Sequence, residues 1–184
     1  MVKLKHSLIL NESTVTQLPM IMSCGLYYEV KGLRELCHAV KRREKEAMYE
    51  AAASLSDLID EYNLNGYHII PIPNHSGYAE YTLEILNYLK RLRNIKVSDS
   101  LLSSAHATQY DTKKSGSTLS IDNYSFKLSR SVLQNKTVLF DNVIGTTYFS
   151  AMKTLGIEIP LLTLAQTYPT SYYKQQWKAF SRGL

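Results

Sequence analysis

Hydrophobic residues recur at spacings of three and four along a stretch that begins at Leu33. An amphipathic helix shows this spacing, because residues three and four apart share one face. The pattern ends at Tyr62, and Gly66 soon afterwards can adopt the left-handed conformation that closes a helix. We therefore predict one long helix over residues 33–62. Its apolar face consists of Leu36, Val40, Ala47, Met48, Ala51, Leu55, Leu58 and Ile59.

Short apolar runs predict strands before and after a second helix. The run Tyr67–Pro73 predicts a buried strand that leads into a loop stiffened by proline. Gly77 opens the second helix, which continues through about Arg93 and is apolar on two faces. Such wide apolar coverage indicates that the helix packs against a sheet. Ile95–Val97 predicts a further short strand.

The second half of the chain repeats this alternation. Thr137–Phe140 is a continuous apolar run of the kind that is buried in a parallel sheet. A turn over Asp141–Thr147 follows, then a helix to about Leu155, and then a strand over Ile159–Ala165. Residues 103–120 are polar and lack periodicity, so they predict a long loop, which in a compact domain tends to be functional or mobile.

The order of these elements predicts the fold class. We expect an α/β fold in three layers, with a mainly parallel, twisted sheet and helices on both faces. The 184 residues suit a single domain with one core. The first 30 residues, interrupted by Pro19 and Gly25, fit either short strands or a loose cap. Residues 172–180 fit a terminal helix.

Composition narrows the classes of protein that need to be considered. Hydrophobic residues make up 45% and charged residues 20% of the chain, as in an ordinary soluble protein. No apolar run approaches the roughly 18 residues that span a bilayer, and the N-terminal residues lack the features of a secretory signal. We expect a cytoplasmic protein without a membrane partner. Cys24 and Cys37 lack metal-ligand spacing and indicate reduced core thiols.

The net charge of +5 fits a phosphate-bearing ligand and a nucleic-acid surface equally well. Much of the positive charge lies in the run Lys41–Glu46, whose mixed signs are typical of a solvated helix face. The fourteen tyrosines are spread along the chain, which indicates half-buried packing residues. Charge alone therefore does not choose between the two kinds of partner.

Polar side chains follow two of the predicted strands, at the edge where parallel sheets bind ligands. After the strand Thr137–Phe140, Gly145 lets the backbone approach a ligand, and the threonine hydroxyls behind it can donate to phosphate oxygens. The helix that begins there adds free N–H groups and a partial positive charge. Asp141 and Asn142 can form hydrogen bonds with ribose hydroxyls. The alternative interpretation is a helix-capping turn, since both residue types favour caps.

The second polar segment follows the strand that ends near Pro73. Backbone amides near the start of the next helix could hold a second anionic group, such as pyrophosphate. His75 in this segment could instead cap that helix. His68 and His106 have no visible partner in the sequence, so we interpret them as structural.

Both segments resemble the phosphoribosyltransferase family, and more closely its competence-protein-F-like branch. The run Val138–Thr147 resembles the strand and Thr/Gly-rich turn that grip the 5-phosphate of phosphoribosyl pyrophosphate. Pro71–Pro73 resembles the strand end that precedes the pyrophosphate loop. Ala107–Lys114 resembles the flexible hood loop, and Asn123–Phe126 resembles the strand before the main motif. The resemblance covers about residues 67–165.

The resemblance implies a type I phosphoribosyltransferase-like fold with a small hood. Residues 1–62 and 166–184 would add hood, packing or homodimer elements. It also implies a Mg²⁺-dependent transferase, in which a nitrogen nucleophile displaces pyrophosphate from the anomeric carbon of ribose. Asp141 would stabilise the ribose charge or take a proton from the nucleophile, while Lys113 or Lys114 on a closing loop would contact the pyrophosphate.

The resemblance implies two groups of site residues, and no metal ligand among them. The catalytic group is Asp141, Asn142, Lys113 and Lys114. The substrate-binding group is Val143, Ile144, Gly145, Thr146, Thr147, Pro73, Asn74, His75 and Ser76. The expected ligand is phosphoribosyl pyrophosphate or a nucleotide monophosphate.

Two departures from the family pattern support a second hypothesis. Asn142 stands where the family has its second acidic residue, and Asn74 and His75 stand where a basic residue often follows the prolines. A catalytically weakened nucleotide-sensing or regulatory module on the same fold would fit both changes. The third hypothesis, a basic nucleic-acid-associated accessory protein that uses Lys41–Lys45 and the tyrosines, predicts affinity that falls steeply with salt. We do not favour nucleic acid as the partner.

Overall fold

The computed structural model describes residues 20–105, 114, 126–128, 136–144, 148, 159–169 and 171–175. The helices in this part of the chain are α1 (Leu33–Lys41), α2 (Lys45–Glu61) and α3 (Tyr81–Leu92). Residues 114, 148 and 171–175 are also helical. The strands are β1 (Ile21–Ser23), β2 (His68–Pro71), β3 (Lys96–Val97), β4 (Leu101–Leu102), β5 (Lys127–Leu128), β6 (Thr137–Val143) and β7 (Leu161–Ala165).

Five of these strands form one all-parallel sheet in the order β1-β7-β6-β2-β3. β6 lies at the centre, where Leu139 pairs with Ile70 of β2 on one side and with Leu161 of β7 on the other. The apolar runs of β2, β6 and β7 are buried, as parallel strands with covered faces require. The predicted parallel α/β sheet is therefore confirmed, and the arrangement is compatible with a three-layer α/β fold.

Helices α1, α2 and α3 pack on one face of this sheet. Their buried side chains, such as Leu36, Leu55 and Leu86, belong to one hydrophobic core with alternate residues of the strands, such as Ile69 and Phe140. Side chains of a strand alternate between its two faces, so these strand residues share the face towards the helices. The apolar helix face that the sequence predicts is thus the face that contacts the sheet.

The long helix that the spacing predicts over residues 33–62 is two helices in the structure. α1 ends at Lys41 and α2 begins at Lys45, and between them Arg43 adopts a φ of 60°. Val40 and Ala47 on either side of the break are both buried, so the hydrophobic periodicity continues across it. The charged run at residues 41–46 therefore covers the end of α1, the turn at 42–44 and the start of α2, rather than one helix face.

The other predicted elements agree in type and differ at their ends. β2, β3 and β7 confirm the predicted strands, and β1 shows that the region after Pro19 contains a short strand. The strand predicted over residues 137–140 continues to Val143, and the helix predicted from Gly77 begins at Tyr81. β4 and β5 form a separate two-stranded antiparallel sheet.

Several predicted elements lie outside the described residues. They are most of the loop at 103–120, most of the helix predicted up to Leu155, and residues 176–180 of the predicted terminal helix. Among the helices that the structure does describe, none has the length and apolar character needed to cross a bilayer.

Candidate functional site

The carboxyl ends of β2 and β6 lie side by side near the middle of the sheet. From β2 the chain continues to β3 on one side, whereas from β6 it continues to β7 on the other. The direction of strand order therefore reverses between β2 and β6, and in open α/β sheets ligands bind in the crevice at such a reversal. Pro71 pairs with Phe140 at this edge, so the segments that follow them are neighbours.

Asp141 and Asn142 lie within β6 rather than in a turn beyond it. Asp141 pairs with Thr163 of β7, and Val143 pairs with Ala165. The parallel ladder therefore continues past the apolar run, because β7 offers partners for the backbone of these polar residues. The alternative that Asp141 and Asn142 merely cap a helix is wrong.

The carboxyl group of Asp141 titrates near neutrality. Burial raises its pKa from 3.8 to about 7, although the Lys41 ammonium and the backbone amides of Asn142 and Val143 act in the opposite direction. A carboxyl group with a pKa near the working pH can both accept and donate a proton, as acid–base catalysis requires. Strong perturbation of a carboxyl group in a crevice is also typical of functional sites.

Asn142 is fully buried on the side of the sheet that faces the helices. Its Nδ2 donates a hydrogen bond to the carbonyl oxygen of Cys37 in α1, at 3.2 Å. Its Oδ1 has no hydrogen-bond partner within the described residues. The amide nitrogen of this side chain, which we expect to form a hydrogen bond with ribose through one of its polar atoms, is thus engaged by α1, and its carbonyl oxygen can still accept a hydrogen bond.

The first turn of α3 lies against the same corner. Burial, followed by the charge of Asp141, raises the pKa of Tyr81, while a hydrogen bond from the Asn142 side chain lowers it. The next residue, Thr82, is buried, and its Oγ1 has no hydrogen-bond partner in the described part of the chain. Buried polar atoms are normally paired. The hydroxyl of Thr82 and the side-chain carbonyl of Asn142 therefore have unused hydrogen-bonding capacity. Nothing in the sequence marks Thr82 as a functional residue.

The loop between β2 and α3 folds around Asn74. The Oδ1 of Asn74 accepts hydrogen bonds from the backbone nitrogen and the Oγ of Ser76, at 2.8 and 2.5 Å. The backbone nitrogen of Gly77 donates to the carbonyl oxygen of Asn74 at 3.0 Å. Pro73 is buried and His75 is exposed. The amides of Ser76 and Gly77, which we expected to face an anion, thus bond within the loop.

Gly77 lies within this loop rather than at the start of the helix. Its φ is +92°, and a Cβ atom there would lie 2.4 Å from the carbonyl oxygen of Ser103. Ser103 in turn donates its backbone N–H to the carbonyl oxygen of Gly77, at 3.0 Å. Because α3 begins only at Tyr81, the prediction of a helix start at Gly77 is wrong, and so is the alternative that His75 caps it.

The turn between α1 and α2 brings positive charge to the candidate site. The Nη2 of Arg43 lies 2.6 Å from Oε2 of Glu80, at the end of the loop after β2. The exposed Lys41 lowers the pKa of Asp141. The sequence predicts that residues 41–46 form a solvated helix face. The basic residues at 41–43 occur equally well on a helix face and in a turn, so they do not reveal the turn that the structure shows. Lys41 and Arg43 are therefore candidate site residues that only the structure reveals.

The remaining predicted site residues are placed only in part. Val143 is half-buried at the end of β6, and Ile144 is buried just beyond it. Lys114 is exposed. Lys113 and the turn at residues 145–147 lie outside the described residues, so the predicted grip on a 5-phosphate stays a prediction.

One carboxylate at this edge, that of Asp141, bears on whether a Mg²⁺ ion could arrive here with a phosphate ligand. The described residues contain no group of three or more His, Cys, Asp and Glu side chains that could hold a metal ion by themselves. Mg²⁺ in phosphate-handling sites usually keeps several waters and binds one or two carboxylates together with substrate phosphates. Asp141 can supply such a carboxylate.

The two cysteines are free thiols, as the sequence predicts. Burial raises the pKa of Cys24 to about 12 and that of Cys37 to about 11. A thiol is reactive mainly as the thiolate, so neither side chain is suited to act as a nucleophile. Cys37 contributes its backbone carbonyl to the site instead, through Asn142.

No protein-family model matches the chain, and neither does any curated protein. The functional assignment therefore depends on the topology of the sheet and on the side chains at its carboxyl edge. Those side chains include a carboxyl group of raised pKa, two buried oxygens without partners in the described residues, and a pair of exposed cations.

Proposed function

We propose that this chain binds a phosphorylated ribose, either phosphoribosyl pyrophosphate or a ribose 5-phosphate nucleotide, in the crevice between β2 and β6. The proposal includes transfer of the phosphoribose to a nitrogenous acceptor with release of pyrophosphate. The main support for this proposal is that Asp141 lies at the carboxyl end of β6, where the strand order reverses between β2 and β6. An all-parallel sheet with such a reversal is the kind of fold that binds phosphorylated nucleosides.

In the proposed reaction, the nitrogen of the acceptor forms a bond to the anomeric carbon of ribose. The bond from that carbon to the pyrophosphate oxygen breaks, and pyrophosphate leaves with the electron pair. Positive charge develops on the ribose ring, and the carboxylate of Asp141 stabilises it by electrostatic attraction. The proton released from the acceptor nitrogen passes to the same carboxylate, whose pKa of about 7 suits this exchange.

The buried oxygens beside α3 fit a hydroxyl group of the ligand. A ribose hydroxyl has one proton to donate and lone pairs to accept. Once the ligand opens either buried position, the hydroxyl would donate to Oδ1 of Asn142 or accept from Oγ1 of Thr82, the two atoms that lack partners in the described residues. Asn142 would then recognise ribose through its carbonyl oxygen, while its amide nitrogen stays bound to α1.

Mg²⁺, when bound together with the ligand, neutralises charge on the leaving pyrophosphate. Pyrophosphate oxygens and several waters would hold the ion, and Asp141 is the carboxylate of this chain that could join them. The exposed cation of Lys41 offsets negative charge at the same edge. The carboxyl group thus links the phosphoribose and the metal.

The sensing module remains the second candidate, and the loop after β2 favours it. The hydrogen bonds among Asn74, Ser76 and Gly77 satisfy amides that a catalytic pyrophosphate loop would turn towards its ligand. A sensor of this kind would bind the same ligand at the same edge without turnover. The two candidates therefore differ in chemistry and not in location.

Two measurements test these proposals. Isothermal titration with phosphoribosyl pyrophosphate and ribose 5-phosphate, in the presence of Mg²⁺, tests binding, and pyrophosphate release over a panel of nucleobases and amines tests turnover. We expect Asp141→Asn to lower turnover by about 10²-fold or more and Asp99→Asn, at an exposed position, to leave it unchanged. Binding without any turnover would favour the sensor, and the absence of binding to both ligands would refute both candidates.

A further inference from the structure

The amino ends of β2, β3 and β6 form the edge of the sheet opposite to the candidate site, which we call the amino edge. Lys96 opens β3, and Lys136 directly precedes β6. Both flank the start of β2, because Lys96 pairs with His68 and the carbonyl oxygen of Lys136 accepts the backbone N–H of His68 at 2.8 Å. β2 has four residues, so at roughly 3.3 Å per residue the amino edge lies about 13 Å from the crevice at its other end.

The ends of α2 and α3 lie at the same edge. Nε of Arg93, the residue after α3, donates to Oδ1 of Asp60 near the end of α2, at 2.9 Å. The backbone N–H of Gly66 donates to the carbonyl oxygen of Asn94 at 2.6 Å, which joins the segments before β2 and β3. The amino edge therefore collects cations from the end of α3 and from the beginnings of two strands. They are Lys90, Arg91, Arg93, Lys96 and Lys136.

The charge of the amino edge is mainly positive. The last turn of α2 contributes the carboxylates of Asp60 and Glu61, and Asp60 is paired with Arg93. The other four cations are exposed and have no carboxylate partner in the described part of the chain. Cations near the end of a helix interact favourably with its dipole, which explains the last turn of α3. It does not explain Lys96 and Lys136, because neither lies at a helix end.

Tyrosine rings alternate with these cations. The guanidinium carbon of Arg91 lies 5.3 Å from the centre of the Tyr88 ring, and Nζ of Lys136 lies 5.7 Å from the centre of the Tyr67 ring. Both distances are in the range of cation–π attraction. Tyr62, directly after α2, is 37% exposed. Proteins that bind single-stranded nucleic acid combine cations that contact the backbone with aromatic rings on which bases stack.

We propose that the amino edge binds single-stranded nucleic acid, with a base stacked on Tyr62 and the phosphates on the four cations that lack a carboxylate partner. This function is separate from phosphoribose binding, because the two sites lie at opposite edges of the sheet. The sequence alone directs attention to Lys41–Lys45 for such a partner. Two cations of that run, Arg42 and Arg43, are paired with carboxylates in the structure, so the unbalanced positive charge lies at the amino edge instead.

Two other anionic partners fit this edge less well. A protein that lies on a membrane buries an apolar face in it, whereas the end of α3 exposes Leu92 as its one large aliphatic side chain. An acidic protein is best recognised by the planar fork of arginine, and Arg93 already holds Asp60 in this way. The lysine ammonium groups are point charges that suit phosphates.

Fluorescence anisotropy of the full chain with a fluorescein-labelled oligothymidylate of about 15 nucleotides tests the proposal. Each phosphate contact to a single strand adds about −0.7 to the slope of log affinity against log salt, so four contacts predict a slope of about −2.8. The double variant Lys96→Gln/Lys136→Gln should reduce the slope to about −1.4 and weaken binding about 25-fold at 0.1 M salt. The control Lys31→Gln/Lys174→Gln removes the same charge from exposed positions outside this edge and should change the affinity less than twofold.

A second variant tests the stacked base. Tyr62→Ala removes an aromatic ring without changing the charge, so it should weaken binding about fivefold or more and leave the salt slope unchanged. Its control is Tyr28→Ala, because Tyr28 is 70% exposed and precedes α1; we expect an effect below twofold. Circular dichroism melts should show that all four variants fold like the unmodified chain, because the replaced side chains are exposed.

Several outcomes would overturn the proposal. Absence of oligothymidylate binding to the unmodified chain at 0.1 M salt, or equal losses in the two lysine double variants, would rule out a nucleic-acid surface at the amino edge. Unchanged affinity in Tyr62→Ala would rule out the stacked base and with it the assignment to single strands. Polyglutamate that displaces the labelled strand as well as unlabelled oligothymidylate does would identify a surface for acidic proteins. Sedimentation with phosphatidylserine–phosphatidylcholine vesicles, without oligothymidylate binding, would identify a membrane surface.

Discussion

Replacing Asp141 by asparagine should change how the free energy of unfolding depends on pH, because the pKa of this carboxyl group is raised in the folded protein. Burial raises the pKa of this carboxyl group from 3.8 to about 7. Between these two values the folded protein keeps a proton that the unfolded chain has lost, so the free energy of unfolding falls as the pH rises. At 1.36 kcal/mol per pKa unit, the loss approaches about 4 kcal/mol above pH 7.

Asparagine has nearly the same shape as aspartic acid and does not ionise. We therefore expect Asp141→Asn to match the unmodified chain at about pH 4 and to exceed its stability by up to about 4 kcal/mol at about pH 8. Urea unfolding followed by circular dichroism across this range measures the difference, with the exposed Asp99→Asn as control. A difference that stays constant with pH, or that favours the unmodified chain at high pH, would contradict the raised pKa of the Asp141 carboxyl group.

Three further predictions concern the framework of the site. Phe140→Ala removes a fully buried ring at the centre of the sheet and should lower the free energy of unfolding by about 3–5 kcal/mol in urea titrations; a loss below about 1 kcal/mol would contradict its place in the core. Gly77→Ala forces a Cβ to within 2.4 Å of a backbone carbonyl oxygen, whereas Gly66 has a similar φ and open space around an added Cβ. Both variants carry the strain of about 1–3 kcal/mol that a positive φ imposes. Gly77→Ala adds a steric clash, so it should lower the melting temperature more than Gly66→Ala does. Lys41→Gln removes a charge that lowers the pKa of Asp141, so that pKa should rise in carboxyl-detected NMR, and an unchanged value would show that the two groups do not interact.

The strands could be predicted because a strand that is covered on both faces must be apolar along its length. Ile69 and Ile70 in β2 and the apolar start of β6 meet this requirement. The end of β6 could not be predicted, because Asp141 and Asn142 are types that favour turns and caps. Their strand conformation depends on β7, where the Thr163 hydroxyl donates to the carbonyl oxygen of Asn142 at 3.1 Å.

The positions of Lys41 and Arg43 beside the site could not be predicted from the sequence for a similar reason. No glycine or proline marks the break between α1 and α2, and the residue with positive φ is Arg43. Its partner, Glu80, lies 37 residues further along the chain. A local pattern of charges carries no information about such a partner, so the same basic run is compatible with a solvated helix face and with a binding site. The fold class therefore followed from hydrophobic patterning, whereas the site required the tertiary pairing.

The pairing of β1 with β7 also has a consequence for how the chain is made. Ile21 pairs with Leu161, and β1 has no other neighbour in the described sheet. During synthesis β1 leaves the ribosome well before β7, and α1, which packs against β7, emerges without its partner strand. Contacts between such distant segments form slowly, and apolar surface that stays exposed meanwhile promotes aggregation. A nascent chain that has not yet extended past Leu161 therefore leaves the edge of β1 and the β7-facing surface of α1 uncovered, and the emergence of β7 covers both.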